Sequence, residues 1–443
     1  MEKRHQVSDY NVVISDPIMV YRSPAEMKQA WGYYQFPRLY RTATGEILAN
    51  WNYSDDSVLG EGRSVVAVKN AVSGDNGKTW TPVSDDEMFR YQIVYNDAPT
   101  KDGKYFVSFG GEDGVRISAC QNTATPYAGG MATFWYGARQ SKVYLASDIA
   151  KLTLTDSNGN AITKFQEPNT VQMNEYDPAT GKITARAVTV NWRHMPVAAG
   201  VDGETQIITP QSRNWRINSS HGVVVKDGDL YYVLYSNGFD SSKSDIGEAS
   251  ASETCIYSNV YVFNSVDGGD TWNYLSQISA NDIPNFKPEL NVEGACEPTM
   301  GIMPDGKFLI LFRSGDNNMP SYLTYSSDDC KTWSTPVQFD SLGVLPQLIT
   351  LDCGVSIASY GRPGVFVKTT SDPAGRVWRD RIEIPLSPKS PTSNEARLSC
   401  CYTQLLPISP TSALLIYTDF HHPTGDGAFT KAILVREIRI ELK

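Results

Sequence analysis

Glu297 and Arg313 bracket the stretch best equipped for chemistry. From 297 to 313 it reads Glu-Pro-Thr-Met-Gly-Ile-Met-Pro-Asp-Gly-Lys-Phe-Leu-Ile-Leu-Phe-Arg. A glutamate can serve as a general acid or base. A guanidinium fork grips a carboxylate through two parallel hydrogen bonds, where a lysine offers only a point charge. Further carboxylates, Asp55, Asp56 and Glu61, crowd the polar loop that follows Trp51. Cys296 stands beside Glu297, but no histidine is near it, so a nucleophilic thiol is set aside. The seven cysteines, at 120, 255, 296, 330, 353, 400 and 401, fit no zinc or disulfide spacing and read mostly as small buried hydrophobes.

These residues need a scaffold. After Glu297 the pattern is strand, Pro-Asp-Gly turn, then the apolar run 308–312, which delivers Arg313 at its end. Residues 326–333, Ser-Ser-Asp-Asp-Cys-Lys-Thr-Trp, follow the pattern Ser-x-Asp-x-Gly-x-Thr-Trp except that Cys330 replaces the glycine. Segments 73–80 and 265–272 match it fully, and 371–378 is a worn copy that keeps Ser, Gly and Trp. In such a hairpin the Ser and Asp satisfy turn backbone groups, the Gly supplies a positive φ and the Trp packs under the sheet. Recurrence after apolar strands is a repeat signal. Repeated hairpin-bearing sheets close most naturally into a β-propeller. Helical periodicity is nearly absent, and the expected class is all-β.

The octamers are similar to Asp-boxes, and the chain from about 34 to 420 resembles the sialidase (neuraminidase) superfamily of six-bladed β-propellers. The resemblance implies one propeller domain over 1–443. It also implies a set of site residues. Glu297 and Arg313 fall on family positions, Arg362-Pro363 matches the family's third arginine, and Ser399-Cys-Cys-Tyr-Thr-Gln-Leu-Leu places Tyr402 on the nucleophilic tyrosine. The loop after Trp51 corresponds to the one that carries the acid/base aspartate, which makes Asp55, Asp56 and Glu61 the candidates. Ser220-His221-Gly222-Val223 fills a family segment, so His221 lies near the site or is a structural histidine. One departure stands out. Where the family has Tyr-Arg-Ile-Pro, this chain has Tyr34-Gln35-Phe36-Pro37, so Gln35 replaces the first carboxylate-binding arginine, and Arg38 is the candidate substitute.

The implied chemistry is retaining exo-glycosidic hydrolysis of a terminal α-linked sialic acid or related acidic sugar. Such a sugar bears a carboxylate on its anomeric carbon and would repel a carboxylate nucleophile. A neutral tyrosine, deprotonated in place by a glutamate, avoids the repulsion. The rival readings are an exo-glycosidase of another specificity, for example arabinofuranosidase-like, which Gln35 favours, and a non-catalytic carbohydrate-binding propeller.

The formal net charge of −10 argues against nucleic acid or an anionic membrane surface as partner. No run approaches the ~20 apolar residues of a spanning helix. The first ten residues lack the apolar core of a signal peptide. The expected compartment is therefore the cytoplasm, or the periplasm or exterior if a leader has been removed. No metal or organic cofactor is implied, because the carboxylates are scattered singly without histidine-rich spacing. Residues 10–34 are expected to pair with the final strand at 432–442 and so close the ring. Residues 110–136 read as a long loop whose aromatics, Phe134, Trp135 and Tyr136, either stack on sugars or fill a hairpin core.

Overall fold

The computed structural model describes residues 9–24, 34–52, 68–91, 98–109, 142–145, 170–191, 196–199, 223–237, 258–284, 294–315, 319–386 and 398–443. Asp55, Asp56, Glu61, His221 and the aromatics at 134–136 lie outside these residues. The fold is all-β, with only short 3-10 turns between strands among the described residues.

Among the described residues, six sheet units follow one another along the chain. The first contains Gln35–Arg41, Ile47–Asn52, Val68–Ser73 and Thr81–Val83. The second contains Tyr105–Phe109, Thr170–Asp177 and Lys182–Asn191, and it runs into the third, Val223–Lys226, Asp229–Asn237, Ser258–Ser265 and Thr271–Ile278, through a short parallel pairing of Thr189 with Thr271. The fourth is Cys296–Ile302, Phe308–Arg313, Ser321–Ser326 and Val337–Asp340. The fifth is Val344–Thr350, Ser356–Gly361, Val365–Thr370 and Ile382–Glu383. The sixth joins both ends of the chain: Gln404–Ser409, Ser412–Pro423 and Phe429–Leu442 are completed by Tyr10–Ile14 and Ile18–Arg22. Tyr10 pairs with Leu442 and Ile18 with Val435, as expected of the leading segment. A separate ribbon pairs Lys142–Leu145 with Pro196–Ala199.

Among the described residues, apolar layers fill the spaces from the second sheet round through the sixth to the first, as between propeller blades. Leu39 and Trp51 of the first meet Leu414 and Ile416 of the sixth. Ile357 and Val367 of the fifth meet Leu405 and Leu415 of the sixth. The run 308–312 explains itself here. Leu309 and Leu311 face the fifth sheet, while Phe308, Ile310 and Phe312 face the third, so every residue of the strand is buried. Each such side chain contributes about 1.5–3 kcal/mol of burial.

The octamers link the third and fourth strands of four sheets. Ser73 Oγ accepts the Gly77 N–H at 2.8 Å, Asp75 Oδ1 accepts the Thr79 N–H at 2.9 Å, and Trp80 Nε1 donates to the Gly77 carbonyl at 3.0 Å. Ser265, Asp267 and Trp272 repeat the pattern. At 326–333, Cys330 takes the glycine's left-handed place with φ 64°, and Trp333 turns instead to Ser276 of the third sheet. The worn copy differs from its sequence frame. Its Asp372 accepts from Ala374, Arg376 and Val377, and Thr370, not Ser371, accepts the Asp372 N–H, because the turn carries one extra residue.

A second repeat lies at the opposite ends of these hairpins. The first strands of the fourth, fifth, sixth and first sheets are neighbours in turn. Three of them open with the same bulge. Register shifts fall between Gln35 and Arg38, Cys296 and Thr299, and Val344 and Gln347. Each spans a residue at positive φ followed by proline: Phe36 at 53°, Glu297 at 45° and Leu345 at 37°. Proline has no N–H to give the ladder and bars the α region to its predecessor. The sixth sheet has its own version, with Cys401 at φ 64° and Tyr402 where the others place proline. Such conformations cost on the order of 1–3 kcal/mol for a side-chain-bearing residue and persist where surrounding structure enforces them.

Candidate active site

Four side chains from three sheets meet where these bulges converge. Tyr402 donates its phenolic hydrogen to Glu297 Oε1 at 2.5 Å. Arg313 Nη1 donates both to Glu297 Oε1, at 2.9 Å, and to the Tyr402 hydroxyl, at 3.0 Å. Arg362 lies with its guanidinium carbon 5.2 Å from the centre of the Tyr402 ring and donates from Nη2 to the Cys400 carbonyl at 3.0 Å. The second oxygen of Glu297 accepts the Leu345 N–H at 2.8 Å. Glu297, Arg313 and Arg362 are buried, while Tyr402 keeps part of its surface open.

Local sequence explains each placement. The bulge at Glu297 turns its side chain off the ladder. Arg313 ends the buried strand Phe308–Arg313, and its Nε is held by the Gly315 carbonyl at 2.8 Å. Arg362 sits in a turn closed by its own N–H to the Gly364 carbonyl. Gly361 lets that turn approach the sixth sheet, since a Cβ there would lie 2.7 Å from the Cys401 carbonyl oxygen and 2.3 Å from that of Gly364. Under Tyr402, Ser399 Oγ accepts the Cys401 N–H and pairs with the Thr418 hydroxyl, which in turn accepts the Cys400 N–H. The left-handed peptide that carries the tyrosine is thus tied down by hydroxyls.

Electrostatics divides the proton between the two partners. Burial opposes ionisation of Glu297, but the Arg313 charge and the hydrogen bonds from Tyr402, Leu345 and Arg313 outweigh it, so the carboxyl is held below its usual range. For Tyr402, burial and the Glu297 charge outweigh the two arginines, and its phenol stays protonated well above the ordinary tyrosine value. At rest the proton belongs to the tyrosine, and the glutamate is ionised. Among the described residues, two guanidinium groups stand with one carboxylate in this cluster. That arrangement accommodates an anion or a developing phenolate.

The sequence-derived set divides cleanly. Tyr402, Glu297, Arg313 and Arg362 come together. Gln35 is adjacent on the first sheet but sealed at 0% exposure, and among the described residues neither amide atom has a hydrogen-bond partner. Arg38, beyond the bulge and opposite Asn50, is exposed. Asp55, Asp56 and His221 lie outside the described residues. Sequence reasoning did not single out Phe36, whose ring centre is 4.8 Å from that of Tyr402 at 83°, or the Leu345 N–H. A signal was present: Gln-Phe-Pro-Arg, Cys-Glu-Pro-Thr and Val-Leu-Pro-Gln recur at the same place in three sheets. Among the described residues no group of three or more His, Cys, Asp or Glu could hold a metal.

No protein-family model matches the sequence, and no curated protein matches it. Among solved structures, a protein of unknown function from Dyadobacter fermentans aligns over 97% of this chain and 99% of its own, at 15% identity and a TM-score of 0.51. The α-L-arabinanase of Penicillium chrysogenum, complexed with arabinobiose, aligns over 96% and 98% at 12% identity and TM-score 0.43. The NanB sialidase of Streptococcus pneumoniae aligns over 96% of this chain and 70% of its own at 14% identity and TM-score 0.44. The first of these alignments establishes similarity of fold and nothing more.

Proposed function

We propose that this chain is a retaining exo-glycosidase that removes a terminal sialic acid or related acidic sugar from a glycan. Tyr402 is the nucleophile and Glu297 its base. The reading is carried by the 2.5 Å hydrogen bond between two side chains 105 residues apart in sequence. The phenolic oxygen attacks the anomeric carbon as its proton passes to Glu297. The glycosidic bond breaks, and its oxygen takes a proton from a second acid, for which Asp55 and Asp56 are the candidates. Water then attacks the anomeric carbon, giving a proton to that second carboxylate. The bond to Tyr402 breaks and Glu297 returns the proton to the phenolate. Arg313 and Arg362 supply the positive charge that favours an acidic sugar.

A neutral terminal sugar, as for an arabinofuranosidase, is the second reading. Gln35 favours it, as does the engagement of Arg313 with Glu297 and Tyr402 rather than with an open face. The test is release of fluorophore from a panel of α-sialosides and α-L-arabinofuranosides, followed by trapping with a fluorinated analogue. The acidic-sugar reading expects sialoside turnover and an adduct on Tyr402, found by peptide mass spectrometry. Turnover of arabinofuranosides alone selects the second reading. An adduct on a carboxylate removes Tyr402 from its role.

A further inference from the structure

Phe36 is at odds with ordinary packing. It is a bulky residue held at φ 53°, a conformation that suits glycine. It takes no part in the apolar layer between the first and sixth sheets, to which this segment contributes Tyr34 and Leu39. It remains half-exposed while Gln35 and Pro37 on either side are buried. Its one aromatic contact among the described residues is the edge-on meeting with Tyr402. The bulge that carries it is fastened to the tyrosine's own strand, because the Gln404 amide accepts the Leu39 N–H at 3.2 Å and donates to the Leu39 carbonyl at 2.9 Å. Gln404 is two residues beyond Tyr402, so the spacing between Phe36 and the phenol is fixed by hydrogen bonds rather than by contact alone.

We propose that Phe36 is a positioning residue for Tyr402, its ring pressed against the phenol from the first sheet so that the hydroxyl stays on Glu297 and Arg313. The inference rests on the reading of Tyr402 as nucleophile. The bulge position equivalent to Glu297 in the fourth sheet is Phe36 in the first and Leu345 in the fifth. One fold position thus supplies the base, the donor to the base's second oxygen and the brace for the nucleophile. Phe36 and Arg362 reach the phenol from the two sheets that flank its own, and Glu297 and Arg313 hold the hydroxyl from the fourth. A ring without its brace can pivot at χ1 and lose the short contact on which proton transfer depends.

Phe36→Gly tests this directly. Glycine relieves the left-handed backbone while deleting the ring, so the melting temperature should stay within about 3 °C of wild type. On the substrate identified by the panel, kcat should fall about ten-fold with KM within about two-fold, since an edge-on aromatic contact is of that magnitude. Phe36→Tyr should restore kcat, and Phe36→Leu, which keeps bulk without the aromatic edge, should restore it only in part. An independent readout is the Tyr402 Cζ resonance in tyrosine-labelled protein, assigned by its absence from Tyr402→Phe. In Phe36→Gly it should move and titrate at lower pH, because lost burial no longer reinforces the Glu297 charge against Arg313 and Arg362. An unmoved resonance with wild-type kcat in Phe36→Gly overturns the proposal. So does a rise in KM alone, which makes Phe36 a substrate contact. If wild-type protein turns over none of the glycosides, the glycosidase reading fails, and the resonance alone decides whether Phe36 positions the phenol.

Discussion

Two arginine–glutamate pairs in this molecule look alike in sequence and differ in what they can do. Arg186 and Glu175, in the second sheet, form a closed fork: Nε donates to one carboxylate oxygen at 2.7 Å and Nη2 to the other at 3.2 Å. Arg186 Nη1 goes on to Asp270 at 2.6 Å, and Lys101 reaches the same aspartate at 2.8 Å. Two cations and two carboxylates cancel, and Glu175 sits in regular antiparallel register with the strand Lys182–Asn191, opposite Thr184. Arg313 and Glu297 are joined through Nη1, which they share with a phenol. Their cluster gathers two guanidinium groups and one carboxylate among the described residues, Glu297 occupies a left-handed bulge, and Tyr402 keeps a partly open surface. A saturated, neutral, unstrained pair fastens sheets. A pair that shares its nitrogen with a phenol, on strained backbone, is arranged for chemistry rather than for fastening.

The sharpest way to break the contrast is at the phenol. Tyr402→Phe deletes one oxygen from the fourth-to-sixth-sheet cluster and should lower turnover of natural glycosides at least ~1,000-fold, with the melting temperature near wild type. Circular dichroism and steady-state kinetics check both halves. Activity within ten-fold of wild type would make the Glu297–Tyr402 contact structural, like its counterpart at Arg186.

Next comes Glu297 and its pH dependence. Glu297→Gln cannot accept a proton and should cost about 100- to 10,000-fold in kcat. In wild type the acid limb of kcat/KM should lie below the ordinary carboxylate range, because the folded-state value is depressed. The same depression links to stability. Its contribution is full above the unfolded value of about 4.3 and is lost as pH falls through the folded value. Glu297→Gln should therefore flatten the acid end of the stability profile, as followed by denaturant titration between pH 3 and 6 on the order of that interval. An acid limb centred above pH ~6 would identify a different group as the base.

Arg362 tests the second guanidinium. Arg362→Ala should weaken an anionic competitive inhibitor by about 2–5 kcal/mol, while a neutral sugar's inhibition constant moves little. Equal losses for both ligands, measured by calorimetry, would place Arg362 with the structural arginines.

Much of this contrast could be read from the sequence, and the unread part has a physical cause. Strand identity was visible because 308–312 is apolar throughout, and a strand packed on both faces requires that. The octamers announced themselves through Ser, Asp, Gly and Trp, whose side chains bond within their own eight residues. Glu297, Arg313, Arg362 and Tyr402 were legible as a set only through resemblance, since their meeting depends on sheet stacking over more than a hundred residues. The Arg186–Glu175–Asp270 staple had no local signature, because its partners come from two sheets merged by the parallel pairing at Thr189. Phe36 and Leu345 were missed for another reason. One acts through ring geometry and the other through a backbone N–H, and neither is a function of residue type. The frame of the worn octamer was off by one because the turn carries an extra residue and so opens at Thr370 rather than Ser371.

The smallest expected effect comes from the closed pair, and it is the control on which the comparison depends. Arg186→Met keeps the aliphatic stem and removes the fork, leaving Glu175 buried without its partner. Breaking a well-buried pair costs about 3–5 kcal/mol, but Arg186 is 28% exposed, and solvent screening reduces the expected loss to about 1–3 kcal/mol. Glu175→Gln in the same background should recover part of that loss, since the stranded charge rather than the missing bond is the main penalty. Neither change should move kcat more than about two-fold, because among the described residues nothing in this cluster touches the Tyr402 site. Denaturant midpoints and kinetics on the single and double variants check the cycle. A fall in kcat without a fall in stability would mean that the second and third sheets set the geometry of the site, and the division between fastening pair and reactive pair would be lost.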